Sequence, residues 1–163
     1  MDSMRRLLAA LLLLPGLACA QNDSVKSAGS FTVQILLTAD PKALRESWNA
    51  SEGAPRLETT STVSRGKPIS AMLVVHGCAA RRDGRCDAVV QFALVGPEDK
   101  RSAGPSGVLW NLPAEKGKFY LSDTSLTMGF DGTDPLGAYR IVATATDRVA
   151  RRTVEVSAPF TLR

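Results

Sequence analysis

Five stretches of this chain alternate in polarity with a period of two, and that pattern excludes most folds at once. Ile69, Ala71, Leu73 and Val75 alternate with Ser70, Met72, Val74 and His76. Ala88, Val90, Phe92 and Leu94 alternate with Val89, Gln91 and Ala93. Leu126, Met128 and Phe130 alternate with Thr127 and Gly129. Tyr139, Ile141, Ala143 and Ala145 alternate with Arg140, Val142, Thr144 and Thr146. Val154, Val156, Ala158, Phe160 and Leu162 alternate with Thr153, Glu155, Ser157 and Thr161. Strict alternation buries one face of a strand and wets the other, as in antiparallel sheets. Turn signals separate the runs at Arg65-Gly66-Lys67-Pro68, Asp83-Gly84, Gly96-Pro97, Gly104-Pro105, Asp131-Gly132 and around Asp147. Many short strands joined this way predict an all-β antiparallel sandwich.

One helix precedes the sandwich. Residues 30–38 are apolar and β-branched enough for a strand. Asp40 then suits an N-cap and Pro41 a first turn, so Lys42 to Asn49 predicts one short helix with Leu44 and Trp48 on the same face. Residues 21–30 are small and polar and read as a flexible lead-in. The β domain is expected over residues 31–163, with no internal repeat.

Residues 1–20 have the layout of a secretory signal peptide. Arg5 and Arg6 are positive, Leu7 to Leu14 is apolar, Pro15-Gly16 breaks the run, and Ala18-Cys19-Ala20 offers a cleavage site after Ala20. The apolar run falls short of the roughly 20 residues that span a bilayer. Met1 and Met4 are both acceptable starts. A lipid anchor at Cys19 is the weaker alternative, because Gly16 stands where a lipobox carries a Leu-like residue. The expected location is periplasmic or secreted, with no transmembrane segment in the mature chain.

Cleavage leaves 143 of 163 residues, enough for one domain with a real core. It also leaves 18 basic and 15 acidic side chains, a formal charge of +3. Export and so mild a charge argue against a nucleic-acid partner. Cys78 and Cys86 are the remaining cysteines. In an oxidising compartment they read as a disulfide closing a short loop, worth about 2–3 kcal/mol. The competing metal site would need more soft ligands than His76, which alone is near.

Asp134-Pro135-Leu136-Gly137-Ala138-Tyr139-Arg140-Ile141 opens the penultimate alternating run. This segment resembles the tyrosine corner of immunoglobulin-like and fibronectin-type sandwiches. The resemblance implies an immunoglobulin-like fold in which the Tyr139 hydroxyl bonds back to upstream backbone. Ile141 stands where true immunoglobulin domains carry a cysteine. The Asp40-Pro41 helix with Trp48, the Cys78 to Cys86 loop, Leu109-Trp110 and the Tyr139 corner together resemble a loose group of small bacterial exported proteins. That resemblance implies an accessory, inhibitory or immunity role and no particular chemistry.

Catalytic groups are sparse. His76 is the single histidine and no Gly-x-Ser-x-Gly elbow accompanies it, so it reads as structural. Asp131 and Asp134 flank a turn and read as turn formers rather than metal ligands. No metal, cofactor or enzymatic activity is expected. Trp48 and Trp110 read as packing residues rather than exposed anchors. Two arginine clusters stand out. Arg81, Arg82 and Arg85 lie inside the bridged loop, and Arg148, Arg151 and Arg152 mark the last hairpin turn. A bridged loop presents its side chains at low entropic cost. If both clusters share one end of the sandwich, they form a surface for an acidic patch or anionic polymer; the alternative is solvated turns.

The expected function is a non-enzymatic periplasmic protein-binding factor of the inhibitor or immunity type. The alternatives are an accessory subunit of a cell-envelope assembly and a polymer-binding module. An aromatic platform would favour the last, but aromatics are only 6% of the chain and form no row in the sequence.

Overall fold

The alternating runs become strands of two five-stranded sheets. The computed structural model describes residues 23–53 and 55–163. The signal peptide, its cleavage after Ala20, the Cys19 and Met4 alternatives and the head of the lead-in lie outside the described residues. The elements in order are β1 (Val25–Ala28), β2 (Phe31–Thr38), α1 (Pro41–Ala50), β3 (Thr62–Val63), β4 (Pro68–His76), β5 (Ala88–Val95), β6 (Arg101–Trp110), β7 (Phe119–Leu121), β8 (Leu126–Gly129), β9 (Gly137–Asp147) and β10 (Arg152–Leu162). One sheet runs β1-β2-β4-β7, with β8 also pairing β4; the other runs β3-β10-β9-β5-β6. Phe31, Val33, Ile35, Ile69, Leu73 and Val75 from the first sheet meet Val90, Phe92, Ile141, Val156 and Phe160 from the second in one core.

Four expectations need correction. Residues 25–28 of the predicted lead-in form β1, paired antiparallel to β2 across the Gly29 turn. The strand is polar because it is an edge. Its preceding turn is tied to both sheets, through Ile35 N–H to Ser24 O and Ser157 N–H to Asp23 O. The pairing is also not wholly antiparallel, since β3 runs parallel to β10 over two residues.

The third correction concerns β4, which is buried on both faces rather than wetted on one. Its outward Met72 and Val74 lie with Leu36 and Leu121 under Leu44 of α1, and Trp48 and Leu57 pack against that layer. The helix exists because Asp40 accepts a hydrogen bond from Ala43 N–H at 2.9 Å and Pro41 supplies a preset first residue. It persists because a short helix needs an apolar surface to cover.

The fourth is Gly104-Pro105, which lies within edge strand β6 rather than in a turn. The β5–β6 register changes between Gln91 and Ala93, so Gly104 and Pro105 together oppose Phe92. This is a β-bulge, a place where an edge strand accepts proline. Gln91 staples it: its side-chain amide donates to Gly104 O at 2.6 Å and Phe92 O at 3.0 Å, and its oxygen accepts from the Ser106 hydroxyl.

The Tyr139 hydroxyl donates to Pro135 O at 2.7 Å, as its segment implied. Its ring sits against Phe130 and Phe160. Asp131 and Asp134 are engaged in the turn ahead of it. Asp131 accepts from the Thr133 hydroxyl at 2.6 Å and amide at 2.7 Å, and Asp134 accepts from Asp131 N–H at 2.7 Å. The Thr133 hydroxyl, then its amide, holds the Asp131 carboxyl below the usual carboxylate range.

Two outcomes are expected. Leu44→Ala removes the side chain that plugs α1 onto β4 and lowers unfolding free energy by about 2–5 kcal/mol in a denaturant titration. Burial, then the Asp134 charge, pushes the Tyr139 hydroxyl above its ordinary value. The folded state therefore holds this proton more tightly than the unfolded chain. That contribution is complete below pH of about 10 and is lost as pH rises through the folded value. Tyr139→Phe should cost about 1 kcal/mol at neutral pH and flatten the alkaline loss of stability, read by titrations at pH 7 and above 10.

Candidate functional site

The loop between β4 and β5 is closed by the Cys78–Cys86 disulfide, with Cα atoms 5.9 Å apart. Inside it the chain turns back on itself. Gly84 N–H donates to Arg81 O at 2.9 Å and Arg81 N–H to Arg85 O at 2.7 Å. Gly84 takes φ +79°, a region glycine enters without penalty. Gly77 starts the loop for a different reason. A Cβ there would lie 2.0 Å from Ser30 O, so only glycine fits beside the β1–β2 turn.

Two neighbouring segments are fastened to this loop. The chain after β6 joins it through Cys86 N–H to Leu112 O at 3.0 Å and Ala114 N–H to Gly84 O at 3.1 Å. The β9–β10 turn joins it through Arg148 N–H to Asp87 O at 2.9 Å and through the Asp147 carboxylate. Asp147 is fully buried. One oxygen accepts from Ala79 N–H of the bridged loop at 2.8 Å. The other accepts from Val149 and Ala150 N–H of its own turn at 3.0 and 3.2 Å. A buried carboxylate without such donors would be very costly. Here it locks two loops to each other.

The two arginine clusters therefore share one end of the molecule. Arg81 and Arg148 flank the same carboxylate, Asp87, at 3.7 and 3.9 Å, and Arg81 also lies 3.9 Å from Asp83. These contacts are long, and their arginines are exposed while Asp87 is half-buried, so each contributes about 0–1 kcal/mol. Arg82, Arg85 and Arg151 have no carboxylate within 4.0 Å among the described residues. Arg151 adopts φ +55°, an uncommon conformation for a side chain of its size. Arg152 departs from the group: its guanidinium lies over Gly29 and donates to the Ser30 hydroxyl at 2.8 Å. Leu112 and Val149 add exposed apolar surface beside the arginines.

The other singled-out residues sit elsewhere. Trp110 packs against the core and against the Tyr120 ring at 4.1 Å. Trp48 lies at the rim of the layer beneath α1. His76 bonds through Nδ1 to Lys118 O at 3.0 Å and stacks on Phe119. Among the described residues no group of three or more His, Cys, Asp or Glu is placed to hold a metal ion, and no helix is long and apolar enough to cross a membrane. Sequence reasoning missed Asp147 and Asp87. An aspartate opening a hairpin turn reads as a local turn former, and nothing nearby signals a partner 68 positions away.

No family model matches the chain, and no curated protein matches it. Among solved structures it is similar to the sporulation control protein Spo0M of Bacillus subtilis, at 10% identity and TM-score 0.49, over 83% of this chain and 50% of that one. This chain thus spans half the length of that relative. It is also similar to a superoxide reductase of Ignicoccus hospitalis, at 10% identity and TM-score 0.46, over 76% and 92%. A Niemann-Pick type C2 protein of the Japanese carpenter ant is similar at 14% identity and TM-score 0.44, over 85% and 98%. Likenesses this distant assign no residue role and no activity.

Asp147→Ala leaves three amides without their acceptor and should cost about 2–4 kcal/mol. The measurement that isolates its role is amide exchange: protection should fall first at Ala79, Val149 and Ala150, while the β9–β10 ladder keeps its own.

Proposed function

We propose that this protein is a non-enzymatic factor of the cell envelope that binds another protein, as an inhibitor or immunity-type partner would. The carrying observation is the buried Asp147 carboxylate that fastens the bridged loop to the β9–β10 turn. It turns two separate arginine clusters into one surface whose backbone is ordered before any partner arrives. Pre-ordering lowers the entropic cost of association. Arginine suits such a surface because its planar fork pairs two-pronged with carboxylates. Arg82, Arg85 and Arg151 are available for that pairing. Arg81 and Arg148 can exchange Asp87 for a partner's acid at little cost. Leu112 and Val149 supply the apolar contact that charged rims alone lack.

An immunoglobulin-like reading of the sandwich belongs to the same proposal and is supported by the Tyr139 bond to Pro135. Export to the periplasm is supported by the layout of residues 1–20 and by the disulfide. Loops at one end of a sandwich are a recurrent place for recognition.

The test is a cross-linked pull-down of the tagged mature protein from native envelope extract. One stoichiometric acidic-surfaced protein is expected, captured less as salt rises and lost in the triple variant Arg82→Ala, Arg85→Ala, Arg151→Ala. Capture that neither salt nor the triple variant weakens would overturn the reading.

A further inference from the structure

Where the backbone takes positive φ, this chain mostly carries glycine. Gly29, Gly66, Gly77, Gly84, Gly117 and Gly137 do so among the described residues; the exceptions are Glu98, Asp99 and Arg151. In that region a Cβ crowds the following carbonyl, at about 1–2 kcal/mol for a residue of ordinary size. Glu98 and Asp99 are consecutive at the centre of the β5–β6 turn, and a tight hairpin turn requires positive φ at both central positions. Aspartate enters the region more readily than most residues, and the Asp99 carboxylate also lies 3.4 Å from Arg140. Arg151 has no such use within the fold. It is exposed, and its side chain has no hydrogen bond or ion pair among the described residues.

The β9–β10 turn holds Arg151 in this conformation from both sides. Before it, the Asp147 carboxylate accepts Val149 and Ala150 N–H at 3.0 and 3.2 Å. After it, the Arg152 guanidinium donates to the Ser30 hydroxyl at 2.8 Å. The strands pair right up to the turn, with Arg152 opposite Asp147. A disfavoured backbone conformation persists only where its surroundings over-determine it, and these anchors do so. Glycine would meet the same demand without the penalty. A charge kept for solubility can stand at any exposed position, including ones that carry no such cost. The Arg151 side chain therefore incurs a cost from which the fold gains nothing.

We infer that Arg151 is the specificity-determining residue of the arginine surface, a guanidinium positioned in advance by its turn to pair two-pronged with a carboxylate of the protein partner. The inference rests on the protein-binding reading and ranks the arginines within it. Arg81 and Arg148 already face Asp87. Arg82 and Arg85 stand on the bridged loop without positive φ. Arg151 joins a free guanidinium to a backbone that disfavours its side chain.

The test follows two readouts, thermal unfolding of the mature protein and pull-down from native envelope extract at limiting bait without cross-linker. Arg151→Gly is expected to unfold about 2–4 °C higher than the native protein. The same variant should need about tenfold or more bait to capture the same amount of partner. Arg151→Lys keeps the charge and the backbone penalty but lacks the fork. It should unfold where the native protein does and capture almost as poorly as Arg151→Gly. Normal capture by Arg151→Gly, with capture lost in Arg82→Ala or Arg85→Ala, would overturn this inference and leave the protein-binding reading standing. Native-like capture by Arg151→Lys would overturn it too, since charge alone would then suffice. So would an Arg151→Gly variant no more stable than the native protein, because the backbone penalty would be absent. An extract that yields no salt-sensitive capture overturns both readings.

Discussion

A carboxylate deprived of water must be met by hydrogen-bond donors, and the arrangement of one whole end of this protein follows from that requirement at Asp147. Its two oxygens collect three amides from two loops that share no local sequence. The disulfide alone would close a ring of residues but leave that ring free to swing. The carboxylate supplies the missing attachment, and the Leu112 and Gly84 carbonyls bind the chain after β6 to the same body. Covalent closure, a buried charge and ordinary backbone bonds thus act in series. The arginines carried on these loops take their relative positions from the disulfide, the Asp147 carboxyl and backbone bonds rather than from contacts with one another.

The fold has a second organising element in β4, which serves two layers at once. Ile69, Ala71, Leu73 and Val75 belong to the space between the sheets, while Met72 and Val74 belong to the space under α1. The helix shields part of one sheet and leaves the rest in water. The helix ends at Ala50; its Leu44 and Trp48 cover Leu36, Met72, Val74 and Leu121, while Phe119 stays exposed.

Much of the fold was legible because its signals are local. Alternation marks β4, β5, β8, β9 and β10, Asp40-Pro41 marks the start of α1, and Gly137-Ala138-Tyr139 marks the corner that leads into the penultimate strand. What was hidden depends on pairing at a distance. β1 is too short and polar to announce itself. Gly104-Pro105 carries a turn's composition but sits on an edge, where a missing N–H is harmless. Met72 and Val74 read as a solvated face because periodicity cannot see a helix laid over it. At the candidate site the arginines and cysteines were readable as residue types. Their assembly was not, because Asp87 and Asp147 look like turn aspartates until the loops they join are side by side, and Arg152 looks like a member until its contact with Ser30 is seen.

The bulge in β6 bears on how the molecule lives in company. The second sheet ends at β6, and an open sheet edge invites another chain to continue it. Here the outermost strand carries a proline with no N–H to offer, and the extra residue opposite Phe92 breaks the even spacing that a continuing strand would need. The Gln91 side chain occupies the carbonyls that the irregularity frees. A glutamine and a glycine-proline pair thus discourage edge-to-edge stacking along that side of the second sheet.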